Sequence, residues 1–325
     1  MNDTDVDVYI GADELARTLA ADAAAGLTGS PKWLPPTWFY DARGSRLFDE
    51  ITRLPEYYPT RAERTALRAH ADEIAAHTGT KTLVELGSGS SDKTRLLLDA
   101  LRAHGSLGAF VPLDVSETAL RESVAAIAAE YPALQVHGVV GDFTRHLRHL
   151  PRGGTRTVAF LGGTIGNLLP GPRARLLAEL RDLLEPGEWL LLGADLVKDP
   201  AVLVPAYDDA LGVTAEFNRN VLHVLNRELG ADFDPGAFDH VARWDPGHEW
   251  IEMRLRARTP MRVRLPELGV TIAFDAGEEL LTEVSAKFRR DRLTAELATA
   301  GFAVRYWWTD PEGLFSLSLS RAEPR

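Results

Sequence analysis

The chain has 325 residues, 45% hydrophobic and 26% charged, enough to bury a large core and to expect two structural units. Its formal net charge of −11 argues against nucleic acid as the main partner, because phosphate binding needs a basic face, and favours a small or cationic ligand. The absence of cysteine excludes disulfides, thiolate metal sites and thiol nucleophiles, and fits a reducing cytoplasm.

The opening MNDTDVDVYIGADE is acidic and has neither a basic n-region nor an apolar h-region, so it does not read as a secretory signal. No apolar run approaches the roughly 18 to 20 residues needed to span a bilayer. A cytoplasmic monomer with no membrane partner is expected. Residues 31–40 and 55–59 are rich in aromatics and proline. Such sequence is not expected to form a regular core element, and fits a segment that wraps a neighbouring unit or covers a pocket.

From about residue 61 to 195 strand-like and helix-like runs alternate, the signature of a parallel α/β sheet. A helix beginning near Thr60 (RAERTALRAHADEIAAH) precedes the strand TLVEL. The strand AFVPLDV covers 109–115, a helix 117–130, QVHGVVGDF 135–143 and TVAFLGGTIGNL 157–168. A helix over 173–184 then leads through Pro186 and Gly187 into EWLLLGADL.

After residue 195 the rhythm changes. The helix-like AYDDALGVTAEFNRNVLHVLNREL is followed by the strand-like HEWIEMRLRART, MRVRLPE and VTIAF, which reads as an inserted α+β unit. From Lys287 an amphipathic helix leads to AVRYWWTDP and GLFSLSLS. These are two strands joined through Asp310, Pro311, Glu312 and Gly313, expected to return to the first sheet as an antiparallel edge pair. The expected division is 61–196 plus 287–325 for a Rossmann-like domain and 1–60 plus 197–286 for a substrate-binding domain.

The most informative stretch is LVELGSGSSDKT at 83–94, an apolar run ending in Glu85 and followed by Gly87, Ser88, Gly89 and Ser90. In an open α/β sheet ligands bind at the carboxyl ends of strands, where glycine lets them approach the backbone. A nicotinamide fingerprint needs a third glycine where Asp92 stands, so the pattern fits better the acid-x-Gly-x-Gly turn of S-adenosylmethionine (SAM) dependent methyltransferases. The plain alternative is a glycine turn with no ligand.

Two further acids shift the balance. Asp114 ends the second strand, where a carboxylate accepts hydrogen bonds from ribose hydroxyls. Asp142 follows the third, beside Phe143, where an acid and an aromatic suit an exocyclic amine and a stacked adenine. Each alone reads equally as a helix cap; three at successive strand ends point to a nucleoside. The glycine-rich exit of the fourth strand, from Gly162 to Gly166, lets backbone face a methyl donor or amine closely, and Asn167 offers both a donor and an acceptor there; a helix N-cap for the segment that follows is an equal alternative. Lys93 and Thr94 either reach a ligand carboxylate or are solvated. On the residues alone, Glu283 and Ser285 read as ordinary polar positions of a half-exposed strand.

PKWLPPTWFYDARGSRLFDEITRLPEYYPTRAE, TLVELGSGSSDKT, GDF, FLGGTIGNL, GADLVKD, AYDDALGVTAEFNRNVL and EELLTEVSAKF extend over nearly the whole chain. Through them the sequence closely resembles the L-histidine Nα-methyltransferases of ergothioneine biosynthesis. PEYYPTR and LTEVS are the most specific blocks. The resemblance implies a class I SAM-methyltransferase sheet and trimethylation of the histidine α-amine to hercynine, with no metal. It implies that Tyr57, Asn167 and Tyr207 surround the α-amino and carboxylate end, that Glu283 and Ser285 grip the imidazole, and that Met253 lies near it. Tyr40 and Phe48 would line the same pocket as candidate catalytic residues. Gly87, Lys93, Asp114, Asp142, Phe143 and Gly162 would hold SAM. No departure occurs at these positions, although serine replaces other small residues in the Gly87 turn.

The chemistry agrees with that assignment. A carboxylate and a hydroxyl satisfy both imidazole nitrogens, and such a pocket rejects a ligand that leaves its buried polar atoms unpaired. Related family members act on tryptophan derivatives. The alternatives are therefore a methyltransferase for another aromatic amino acid and a SAM-binding protein without catalysis.

Overall fold

The computed structural model describes residues 5–89 and 91–324. Residues 1–4 of the acidic start and Ser90 of the glycine-serine turn lie outside the described residues. The chain divides into two compact units, Met1–Ile10 with Pro59–Val197 and Lys287–Arg325, and Gly11–Tyr58 with Lys198–Ala286.

The first unit is built on an eight-stranded sheet in the order Asp5–Val8, Gln135–Val140, Ala109–Asp114, Thr82–Leu86, Arg156–Phe160, Trp189–Asp195, Phe315–Ala322 and Phe302–Thr309. Six strands run parallel, and the last two form the expected antiparallel edge pair. This is a Rossmann-like α/β sheet. Its central strands read as continuous apolar runs because both faces are buried. Leu97, Leu98 and Leu101 of the Thr94–Ala103 helix show why that helix forms. They repeat on one face, each is at most 1% exposed, and all belong to the core that includes Phe110 and Leu191. Each such burial contributes about 1.5–3 kcal/mol.

The expected division placed residues 1–60 wholly outside this sheet, and the Asp5–Val8 strand corrects that by pairing in parallel with Gln135–Val140. This strand has the alternation of a β-strand, but four residues with only two valines are too short a run to announce it.

The second unit has a four-stranded sheet in the order Lys32–Trp33, Glu279–Ala286, Trp250–Ala257 and Phe238–Asp245, and a separate hairpin of Met261–Leu265 with Val270–Phe274. Here the proline-rich segment departs from expectation. Pro36–Phe39 forms a short 3-10 turn with Trp38 and Phe39 buried, and leads into a helix, Ala42–Ile51. Asp41 caps that helix by accepting from Gly44 N at 2.8 Å. The side-chain amide of Asn220 donates to Phe39 O at 3.0 Å, so the backbone polarity left by the turn is satisfied internally. The AYDDALG stretch does not begin the long helix. Gly212 takes a left-handed φ of 74° and Val213–Leu229 starts after it. Asp209 accepts from Val213 N at 3.0 Å and Thr214 N at 2.7 Å and so caps that start. No helix among the described residues is long and apolar enough to cross a membrane.

Candidate active site

In the first unit the strand order reverses beside Thr82–Leu86, the place where open α/β sheets bind ligands. The rim there is knitted by backbone: Gly87 N donates to Leu113 O at 2.8 Å and Gly141 N to Asp114 O at 2.9 Å. Gly87 and Gly89 have φ of 65° and 50°, a region glycine occupies without strain, and a Cβ on either would meet nothing within 4 Å. Beside them the buried Ser88 hydroxyl has no hydrogen-bond partner among the described residues.

Asp114 holds this turn. Its Oδ2 accepts from Gly89 N and its Oδ1 from Ser116 N, both at 2.9 Å. Burial pushes its carboxyl up, against the hydrogen bonds from Ser116, Gly89 and Val115 that favour the anion. A carboxylate has about four acceptor sites, so capacity remains for hydroxyls of a ligand. An open turn, an unpartnered hydroxyl and this carboxylate fit a nucleoside. Asp142 is committed in part to the local turn, with Oδ1 accepting from Thr144 N and Thr144 Oγ1 at 2.7 Å each. Phe143 packs edge-on against Phe160, with centroids 5.1 Å apart.

Two polar side chains differ from expectation. Thr94 is neither solvated nor turned to a ligand: it is fully buried and donates to Glu85 Oε1 at 2.5 Å, while Ser91 donates to Oε2 at 3.3 Å. Burial pushes the Glu85 carboxyl up to about 7, with Thr94, the Lys93 charge and Ser91 opposing the shift and Glu63 adding to it. The Lys93 ammonium, expected to reach a ligand carboxylate, is paired with Glu63 of the protein itself. Glu63 is fully buried, and its other oxygen accepts from Gly162 N at 2.7 Å. Space for this carboxylate is made by Gly193, where a Cβ would stand 2.2 Å from Glu63 Oε1. Glu63 thus ties Lys93 to the glycine exit of the fourth strand. Asn167 closes the short turn Thr164–Asn167 that follows, half-buried.

In the second unit the expected aromatic residues meet. Ring centroids are 5.6 Å apart for Tyr40 and Phe48, 6.1 Å for Phe48 and Tyr57, and 6.3 Å for Tyr57 and Tyr207. Phe217, which the sequence did not single out, joins them at 5.4 Å from Tyr40 and 5.9 Å from Phe48. This wall continues into polar groups, because the Tyr207 hydroxyl lies 2.7 Å from Ser285 Oγ. Glu283 and Ser285 stand two apart on Glu279–Ala286 and so share a face. Met253 is directly opposite Glu283 on the neighbouring strand. Glu283 is 9% exposed and Ser285 6%, so these are not the half-exposed positions that the residues alone implied. A bulge between Leu281 and Glu283 re-aims the strand at this point.

The model of the family described as "Histidine-specific methyltransferase, SAM-dependent" matches residues 19–322. The chain belongs to this family. It is 59% identical to the histidine N-alpha-methyltransferase of Mycolicibacterium smegmatis over 96% of its length and 97% of that protein. With the Mycobacterium tuberculosis protein of the same name it shares 58%, again over 96% and 97%. It is 35% identical to ergothioneine biosynthesis protein 1 of Neurospora crassa, over 90% of this chain and 34% of that one. Within the family frame, the first unit carries the strand-end acids and the glycine turn, together with Asn167. The second carries the aromatic wall with Glu283, Ser285 and Met253. Among the described residues, no three His, Asp or Glu side chains gather as a metal-ligand set.

Proposed function

We propose that the chain transfers methyl groups from SAM to the α-amine of L-histidine, three times, giving hercynine in the first step of ergothioneine biosynthesis. The observation that carries this reading is the 59% identity, over 96% of the chain, to a histidine N-alpha-methyltransferase. The buried polar pair Glu283 and Ser285 beside an aromatic wall supports it.

SAM supplies an electrophilic methyl group on a sulfonium. Asp114 accepts the ribose hydroxyls, Asp142 and Phe143 take the adenine, and the backbone of Gly87 and Gly162 leaves room for the donor. Lys93, held in place by Glu63, offers its remaining N–H donors to the methyl donor. Tyr57, Asn167 and Tyr207 take the α-amino and carboxylate end of histidine. Glu283 and Ser285 satisfy the two imidazole nitrogens, with Met253 packed near the ring.

The chain mainly aligns an in-line displacement. The amine nitrogen bonds to the methyl carbon, the carbon–sulfur electron pair leaves with sulfur, and the amine proton passes to Tyr40 or water. The attacking amine must be neutral; the α-amine of a free amino acid is more basic than the peptide value of about 8, so its proton must be taken up before attack. Charge then grows on the methylated nitrogen, which the faces of Tyr40, Phe48 and Tyr57 stabilise by about 0.5–2 kcal/mol. The absence of cysteine fits a reducing compartment such as the cytoplasm.

Mass spectrometry of a reaction with SAM and a panel of amino acids tests the reading. A gain of three methyls on histidine alone is expected. Product on a tryptophan derivative and none on histidine would replace the substrate, and SAM binding without any product would remove the activity.

A further inference from the structure

The backbone around Tyr207 is irregular. Tyr207 ends a 3-10 turn, Val204–Ala206, and precedes the Asp209 cap. Its carbonyl accepts from His240 Nε2 at 2.8 Å, on the strand Phe238–Asp245. His240 Nδ1 lies 2.8 Å from the side-chain nitrogen of Asn218, which is itself fully buried in the Val213–Leu229 helix. The same nitrogen donates to Arg254 O at 3.1 Å. Asn218 Oδ1 accepts from Thr282 Oγ1 at 2.6 Å, and Thr282 sits in the bulge between Leu281 and Glu283.

These contacts fix the protons. A carbonyl such as that of Arg254 accepts only, so the Asn218 amide must present its N–H groups on that side. His240 Nδ1 then has a donor facing it and must be bare. The proton therefore sits on Nε2, where it serves Tyr207 O. A second proton on Nδ1 would meet the Asn218 N–H directly, so the ring is held neutral. Burial lowers its pKa in the same sense. The charged groups that face the ring do not reverse this. Asp208 reaches only 4.0 Å from Nε2, Asp209 is engaged with Val213 and Thr214, and Arg219 donates to Phe238 O.

We propose that His240, locked by Asn218 as the neutral Nε2–H tautomer, is a positioning residue that sets Tyr207 against Ser285. Through Asn218 and Thr282 the same chain of bonds is tied to the bulge that aims Glu283. This inference rests on the reading in which Tyr207 and Ser285 hold the amino-acid substrate. Neither His240 nor Asn218 touches the substrate in it; both act by holding residues that do.

The experiment compares His240→Phe and His240→Gln with the unaltered enzyme. His240→Phe removes both bonds and keeps the ring shape. It is expected to raise KM for histidine about ten-fold, the effect of displacing one substrate hydrogen bond made through Tyr207 or Ser285. SAM affinity by calorimetry stays within about two-fold of the original, the margin for an undisturbed site. His240→Gln retains an N–H that reaches Tyr207 O and recovers most of the loss. An unchanged histidine KM in a variant that still binds SAM overturns the proposal, and so does an equal loss of both affinities.

Nitrogen-15 spectra of the unaltered protein labelled at histidine supply a readout independent of folding in the variants. The ring whose signals vanish in His240→Gln must show a bare Nδ1 and a protonated Nε2; the opposite tautomer overturns the assignment. Ser285→Ala separates the two levels. If it leaves histidine KM unchanged, the substrate reading fails while the tautomer result still decides the lock.

Discussion

The hydroxyls of Tyr207 and Ser285 lie 2.7 Å apart, joining the end of the aromatic wall to the polar strand that carries Glu283. Both are buried, so the pair is a fixed hydrogen bond and not a solvated contact. Tyr207→Phe keeps the ring beside Tyr57 and removes only the hydroxyl. Histidine KM is expected to rise about ten-fold, within the range for one lost hydrogen bond. Steady-state kinetics with saturating SAM check this, and an unchanged KM would take the Tyr207 hydroxyl out of substrate binding.

Glu283→Ala removes the charged partner proposed for the imidazole. Hydrogen bonds to charged groups contribute about 1.5–3 kcal/mol, so histidine affinity should fall about ten- to a hundred-fold. SAM affinity should stay nearly intact, because Glu283 is not among the residues proposed to hold SAM. Titration calorimetry with each ligand gives the comparison. Equal loss of both affinities contradicts the placement of Glu283.

Asp114→Ala should do the reverse. It removes an acceptor for the ribose and also releases Gly89 N and Ser116 N, loosening the turn that faces the ligand. SAM affinity is expected to drop about ten-fold or more by the same arithmetic. An unaltered SAM isotherm would exclude Asp114 from the ribose site.

The parts of this site that could be read in sequence are those whose chemistry is local. Glu85 lies at the end of a strand and Gly87 and Gly89 on the turn that follows it, and Asp114 and Asp142 announce themselves by ending apolar runs. Glu63 could not be found that way. It looks like one more charge on a helix, and only the fold brings it to Gly162 N and Lys93. Asn218 did leave a trace: it falls on the apolar stripe with Phe217, Val221, Leu222 and Leu225, where an amide needs internal partners. Glu283 and Ser285 were legible only through family resemblance, since alternation along one strand does not say which face another strand covers.

Glu85 supplies a test in pH. Its carboxyl is raised from an ordinary 4.5 to about 7 by burial, so between those values the folded protein binds the more protons. Its contribution is fully present below about pH 4.5 and is lost as pH rises through about 7; the displacement corresponds to about 3 kcal/mol. Glu85→Gln cannot titrate and should show a flatter loss of stability across that window. Urea denaturation of both proteins at pH 5 and pH 8 measures the difference. Identical slopes would mean that Glu85 titrates normally.

Arg156 and Glu188 form a buried ion pair in the first unit. Arg156 is fully buried, with Nε 2.9 Å from Glu188 Oε1 and Nη2 2.5 Å from Oε2. Nη1 also donates to Pro151 O and Nη2 to Leu183 O, both at 2.6 Å, so most of the guanidinium's donors are used inside the protein. Glu188 also accepts from the backbone of Arg156 and Glu185, at 3.1 and 2.7 Å. Glu188→Ala therefore strands a buried cation and two backbone donors at once. Breaking one side of a buried pair costs about 3–5 kcal/mol, far more than the pair adds over an apolar substitute. Guanidinium denaturation should show that loss, with SAM binding preserved at low temperature in whatever fraction stays folded. A cost near that of an exposed ion pair, about 1 kcal/mol or less, would mean that water enters and solvates Arg156.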